Sequence, residues 1–280
     1  PRHMAKRKQP EDSSCLLGTD FAHLDLSNIR SALIRQEETI IFAALERAQF
    51  RLNPKIYETG GIPVADGWRT KFDGSFLEYL LWQQEQVFAK VRRYTSPDEF
   101  PFSPEDKLPR SVLTELEWPS VLANHNINLN EEIFQVYVKQ MLPNFCDSGD
   151  DQQYGSSAVA DIAMLQALSK RIHHGLFVAE SKFRQSPETF RPLIEAKDED
   201  GLMAAITNAA VEDNVVQRVL VKAKTYGQDL SPSGAAPAEP IRHSVSAELL
   251  SKWFRDIVMP MTKKVQVLYL LGRLKTNTDQ

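Results

Sequence analysis

The chain has 280 residues, 42% hydrophobic and 25% charged, with a net charge of −4. That composition suits a globular protein with a large core, and the acidic balance argues against a surface built for nucleic acid. Two cysteines, Cys15 and Cys146, make no disulfide framework and lack metal-ligand spacing, while no apolar run approaches the ~20 residues of a membrane span.

The start, PRHM, reads as a cloning remnant, and residues 1–20 as that remnant plus a disordered tail. Lys6-Arg7-Lys8 is better read as part of a solvated tail than as a nuclear signal. Without a signal-peptide core, and with acidic residues unlike a transit peptide, the tail predicts a cytosolic, reducing setting. From Leu26, apolar residues at Ile29, Leu33, Ile40, Ile41 and Ala44 predict a long helix. Arg30 lies in or beside that stripe. It reads equally as an edge residue snorkelling or pairing with Glu37 and as a ligand-binding cation.

A Pro/Gly-rich loop over 52–72 separates this helix from a second near 74–94. Five prolines over 95–128 exclude a long helix there, and another is expected over 130–145. Ser148-Gly149-Asp150-Asp151 is a turn, after which Gly155-Ser156 opens a long segment. There Arg171 and Lys182 sit eleven positions apart in an apolar setting, about three helical turns at ~3.6 residues each. A continuous helix aligns them with Met164 and Val178, while Leu165, Leu168 and Ile172 form a second stripe. A helix apolar on two sides is buried, and buried cations need anions. If no carboxylate of the chain pairs with them, a bound anion must. Gly175 threatens the alignment by breaking the helix.

Shorter helices are expected over 187–205, a longer one over 206–226, and a flexible loop over 229–243. Ser246 is a candidate N-cap of a last helix reaching Leu274, with Pro260 as a kink. One all-α domain over 21–275 is the economical architecture. Asn208 with Glu212, and Thr262 with Gln266, have i, i+4 spacing; each pair alone reads as a helix edge half in water. His173-His174 point apart on a helix and have no third histidine near, so a structural or surface role is favoured over metal binding. Gly155-Ser156 is no phosphate loop, and no nucleophile elbow occurs.

Five blocks in order carry a resemblance: LSNIRSALIRQEETIIFAALERAQF (26–50), KVRRYTSPDEFPF (90–102), GSSAVADIAMLQALSKRIHHGLFVAESKF (155–183), ITNAAVED (206–213) and MPMTKKVQVLYLLGRL (259–274). Over about 21–275 the chain resembles the eukaryotic, all-helical chorismate mutases of fungi and plants. The resemblance implies conversion of chorismate to prephenate, an intramolecular Claisen rearrangement toward phenylalanine and tyrosine that uses no cofactor or metal. It implies that Arg30 and Arg171 bind the two substrate carboxylates and that Lys182 donates to the ether oxygen and a carboxylate. Asn208 then holds a carboxylate, Glu212 the ring hydroxyl, and Thr262 makes a further polar contact. Gln266 departs from the fungal pattern, in which a glutamate must be protonated to donate; an amide donates at any pH.

The resemblance also implies a homodimer with aromatic amino acid effectors at the subunit interface, tryptophan activating and tyrosine inhibiting. Arg92 and Arg93 match the effector arginines, although they read equally as solvated helix-end charges; Gly155 and Ser156 match a Gly-Ser turn. Val159 stands where a regulated relative has a threonine, so tyrosine inhibition is expected to be weak. Two other readings stay open: a catalytically silent homologue acting by dimerisation, and a helical scaffold presenting an exposed apolar groove.

Overall fold

The computed structural model describes residues 26–63, 72–116, 118–226 and 245–274. The tail with Cys15 and the 229–243 loop lie outside the described residues. Ten helices of at least seven residues carry the architecture of these residues: α1 (Leu26–Arg47), α2 (Phe76–Lys90), α3 (Asn130–Val136), α4 (Tyr154–His173), α5 (Gly175–Gln185), α6 (Pro187–Glu195), α7 (Glu199–Ile206), α8 (Ala209–Tyr226), α9 (Ala247–Trp253) and α10 (Met259–Gly272). No strand occurs among the described residues, as the 3.6-residue periodicity predicts.

Local chemistry sets the helix starts. Ser75 and Glu78 form a reciprocal capping box on α2. Ser246 Oγ accepts from Leu249 N at 3.0 Å, which confirms it as the N-cap of α9. Two prolines come with wide turns. Pro143 and Pro260 lack the N–H that would reach the carbonyls of Lys139 and Asp256, and both carbonyls lie in π turns, Tyr137–Met141 and Phe254–Val258. The irregularity expected at Pro260 is therefore a re-registered turn just before it.

Packing centres on α4. α1 runs along it, α2 and α10 also contact it, and α10 packs on α5 and α7. Ile40, Ile41, Ala44, Leu165, Leu168, Ile172 and Val265 share one buried cluster. The break expected at Gly175 is one residue long: His174 separates α4 from α5. His174 stays right-handed (φ −59, ψ −15), and the bonds His174 N to Lys170 O (3.1 Å) and Val178 N to His174 O (3.3 Å) carry the helical register through. The glycine serves close approach instead: a Cβ there would fall 2.7 Å from the Thr262 carbonyl oxygen. That seats α5 on α10 and sets Thr262 beside Arg171.

A buried polar network ties α1 to α4. Arg47 Nε donates to Asp161 at 2.6 Å, with both side chains fully buried. Its remaining donors reach the carbonyls of Phe50, Arg51 and Leu52 and the Tyr57 hydroxyl. The acidic 147–153 turn docks on the chain after α1: Asn53 Nδ2 donates to Asp151 at 2.7 Å and to Ser157 at 2.9 Å.

Candidate active site

α1, α4, α5, the α7–α8 junction and α10 enclose a cavity of about 310 Å³, within the range of small-molecule sites. Its lining includes Arg30, Arg171, Lys182, Asn208, Glu212, Thr262 and Gln266. Sequence reasoning singled out all seven; α10 brings its pair to them across the bundle.

Arg171 is only 4% exposed. Its Nη1 donates to Thr262 Oγ1 at 3.3 Å, and its Nε is buried without a hydrogen-bond partner among the described residues. Burial pushes its pKa down to about 10, with Glu37 compensating in part and Arg218 repelling. Glu37, itself fully buried, is engaged elsewhere: Arg218 grips both its oxygens at 2.6 and 2.8 Å, and Lys222 lies at 3.5 Å. This corrects the expectation that Glu37 pairs with Arg30. Arg30 is exposed on the cavity lining.

Lys182 donates to the Ile206 carbonyl at 2.5 Å, at the C-terminal end of α7. Burial lowers its pKa, and the cations Arg30 and Lys263 add to that against Glu212. Asn208 is not on the helix face that its spacing to Glu212 suggested. It precedes α8, and its Oδ1 caps the helix by accepting from Val211 N at 3.1 Å, the N-terminal role that asparagine favours. Its Nδ2 is left as a donor for the cavity. Glu212, in the first turn of α8, pairs with Lys263 at 3.1 Å.

Thr262 and Gln266 are 6% and 5% exposed, so neither is a helix edge half in water; the close seating of α5 on α10 buries them. Thr262 Oγ1 donates to the Val258 carbonyl at 2.6 Å. Gln266 Nε2 donates to the Thr262 carbonyl at 3.3 Å, which uses one of its two amide protons, and its Oε1 has no partner among the described residues. Ile29, Leu33, Val178, Val211, Val215 and Met259 supply apolar wall. The arrangement can hold a small dianion against an apolar frame and place donors on an oxygen between Lys182 and Gln266.

The two histidines have structural roles. His173 is buried, accepts from Leu129 N at 2.9 Å and stacks on Phe100. Burial lowers His174 to about 3, which keeps it neutral. No cluster suited to a metal occurs among the described residues.

The effector candidates separate into two places. Arg93 is no solvated charge: its Nε bonds Glu99 at 3.0 Å and its guanidinium lies 4.5 Å over Phe88. Arg92 donates to the Thr114 carbonyl. Glu99 also bonds Lys170, at 2.6 Å, which puts Arg93 near the C-terminal end of α4. Gly155 and Ser156 stand at its N-terminal end, roughly 21 Å away by helical rise. One chain does not bring the two halves together.

Residues 153–267 match the family model for chorismate mutase type II. The chain is 46% identical over 252 residues to the chorismate mutase of Schizosaccharomyces pombe, covering 90% of this chain and 97% of that protein. It is 45% identical over 255 residues to chorismate mutase 1, chloroplastic, of Petunia hybrida, covering 89% and 76%. Among solved structures, the Aro7p chorismate mutase of Candida albicans in complex with L-Trp superposes with a TM-score of 0.82 at 40% identity, covering 92% and 95%. AtCM1 with tyrosine bound in its allosteric site gives 0.79 at 42% identity, covering 94% and 99%. Family model, relatives along most of their length and superposed structures agree: this chain belongs to the chorismate mutase family.

Proposed function

We propose that the cavity binds chorismate and rearranges it to prephenate. The observation that carries this reading is Arg171, a buried guanidinium whose Nε has no partner among the described residues; a dicarboxylate supplies the missing anion. Arg171 and Arg30 take the carboxylates through paired, charge-assisted bonds. Lys182 and the free amide proton of Gln266 donate to the ether oxygen, where negative charge grows as its bond to the ring stretches. Asn208 Nδ2 supports a carboxylate, Glu212 accepts from the ring hydroxyl, and Thr262 holds Arg171. Catalysis then consists of folding a flexible ether into a compact near-attack shape and stabilising its charge separation. Loss of chorismate absorbance with the purified protein, beside Arg171→Ala, tests this. No turnover by folded wild type at any pH from 5 to 8.5 would move the assignment to a silent homologue.

Gln266 sets the pH behaviour. Its amide donates without titrating, so kcat/KM is expected to hold through neutral pH. Gln266→Glu is expected to make activity fall as pH rises, as the new carboxyl loses its proton. A steep wild-type rise below pH 6 that disappears on changing Gln266 would refute this account.

Arg218 protects Arg171 by occupying Glu37. Removing it by Arg218→Ala frees a buried carboxylate to compete for Arg171. We expect KM for chorismate to rise about tenfold, the worth of one charged hydrogen bond, with less change in kcat. An unchanged KM would show that Glu37 stays in place without its clamp.

We further propose a homodimer whose interface joins Arg92 and Arg93 of one protomer to Gly155 and Ser156 of the other, forming a site for tryptophan or tyrosine. Two facts support this: the halves lie apart in one chain, and Val87, Val91, Val112, Leu113 and Val159 are exposed apolar side chains. Val159 offers no hydroxyl to a tyrosine phenol, and an unpaired buried phenol costs about 1–3 kcal/mol. Tryptophan activation is therefore expected to exceed tyrosine inhibition, measured as effector titrations of kcat/KM on protein shown to be dimeric by sedimentation. Tyrosine inhibiting at least as strongly as tryptophan activates would sink the Val159 argument. No described helix is long and apolar enough to cross a membrane. The cytosolic setting stays a proposal, which fractionation tests against the chloroplast named for the plant relatives.

A further inference from the structure

Four cations line the cavity, Arg30, Arg171, Lys182 and Lys263, against one carboxylate, Glu212. Three of the cations have a substrate role in the reading above; Lys263 has none. It follows Thr262 in α10, and its Nζ lies 3.1 Å from Glu212 Oε1 and 3.2 Å from Oε2. Both side chains are largely covered, at 21% and 28% exposed. The pair spans from α10 to the first turn of α8, beside the Asn208 cap.

A carboxylate is an awkward group in a cavity that takes a dianion, because like charges at close range repel. It is also needed there, because a ring hydroxyl requires an acceptor. An ammonium straddling both oxygens answers both demands: it cancels the charge felt by the incoming carboxylates and fixes the plane of the acceptor. Lys263 also acts electrostatically on Lys182, which places it within reach of the reacting region.

We propose that Lys263 is a positioning residue for the hydroxyl subsite, holding Glu212 in place and neutralising it against the substrate's carboxylates. This rests on the chorismate reading. Its effect falls on ground-state binding, so it appears in KM rather than in kcat.

The test is a double-mutant cycle of wild type, Lys263→Met, Glu212→Gln and the double variant. Each is assayed for kcat and KM with chorismate, and for the Kd of a hydroxyl-bearing dicarboxylate transition-state analogue, which reports even where turnover is lost. Lys263→Met is expected to raise KM and Kd about tenfold with kcat changed less than about threefold. In the Glu212→Gln background the same change is expected to cost less than about twofold, because there is no charge left to cancel. Lys263→Arg should restore most of the binding, since a guanidinium also grips both oxygens. An undiminished Lys263→Met penalty in the Glu212→Gln background would mean that Lys263 touches the substrate itself, and would overturn the proposal. So would wild-type affinity in Lys263→Met. Wild-type turnover with an unaffected Lys263→Met defeats this inference alone; a wild type that neither turns over chorismate nor binds the analogue defeats the functional reading and this one together.

Discussion

Arg171→Met is expected to abolish turnover and, in the same protein without ligand, to raise the melting temperature. The two effects have one cause. Arg171 is buried, its Nε has no partner among the described residues, and burial lowers its pKa well below the ordinary guanidinium value, to about 10. A depression of that size corresponds to about 3 kcal/mol in favour of the neutral form. Arginine is a base, so the cost is present in full at neutral pH and fades only as pH rises above about 10 toward the ordinary guanidinium range. Methionine removes the charge and keeps most of the apolar stem. With part of the gain lost to the broken Thr262 bond, a rise of about 4 °C is expected by thermal melting. On the proposed reading substrate reverses the balance, because its carboxylate would pair with the guanidinium. Removing that contact is expected to lower kcat/KM by about 10³-fold or more, comparable to losing a principal charge-stabilising donor. A variant that melts lower than wild type and still turns over chorismate would contradict both halves.

Two buried arginines show how far a local sequence signal reaches. A cation in an apolar helix was the signal, and Arg47 gives the same signal: it follows Ile40, Ile41 and Ala44 on α1 and precedes Ala48, all buried. Nothing local separates the two arginines. What separates them is Asp161, 114 positions from Arg47, and that pairing exists only once α1 lies along α4. Glu37 was likewise visible as a carboxylate near Arg30, but Arg218, which holds it, comes from α8. Helical content, most helix positions and the absence of strands among the described residues followed from periodicity and caps, which are local. The burial of Thr262 and Gln266 depended on how closely α5 approaches α10, and Gly175 set that distance. An isolated glycine in a helix usually suggests a break, so its packing role could be seen only against the Thr262 carbonyl. Lys263 next to Thr262 carries no local signal, because its acceptor, Glu212, sits on another helix.

Arg47 supplies the converse experiment. Its five N–H donors all have acceptors: Asp161, Tyr57 and the carbonyls of Phe50, Arg51 and Leu52. Tyr57 and Tyr137 each donate to Asp161 at 2.7 Å. Burial disfavours the charge on Arg47, but Asp161 outweighs it and holds the guanidinium pKa above its ordinary value. Arg47→Met strands Asp161 as a buried carboxylate and frees three carbonyls at the C-terminal end of α1. Breaking one side of a buried pair costs about 3–5 kcal/mol, which lowers the melting temperature by roughly 10 °C. Because the same residues anchor the segment that docks the 147–153 turn, loss of protection from proteolysis is expected there first. The double change Arg47→Met with Asp161→Leu should recover part of the loss, since it removes the stranded charge along with its partner. Arg47→Met and Arg171→Met thus make the same chemical change at two buried arginines and are expected to move stability in opposite directions. If both lower the melting temperature alike, the pairing of the charge is not what distinguishes them, and the case for Arg171 as an anion site loses its physical basis.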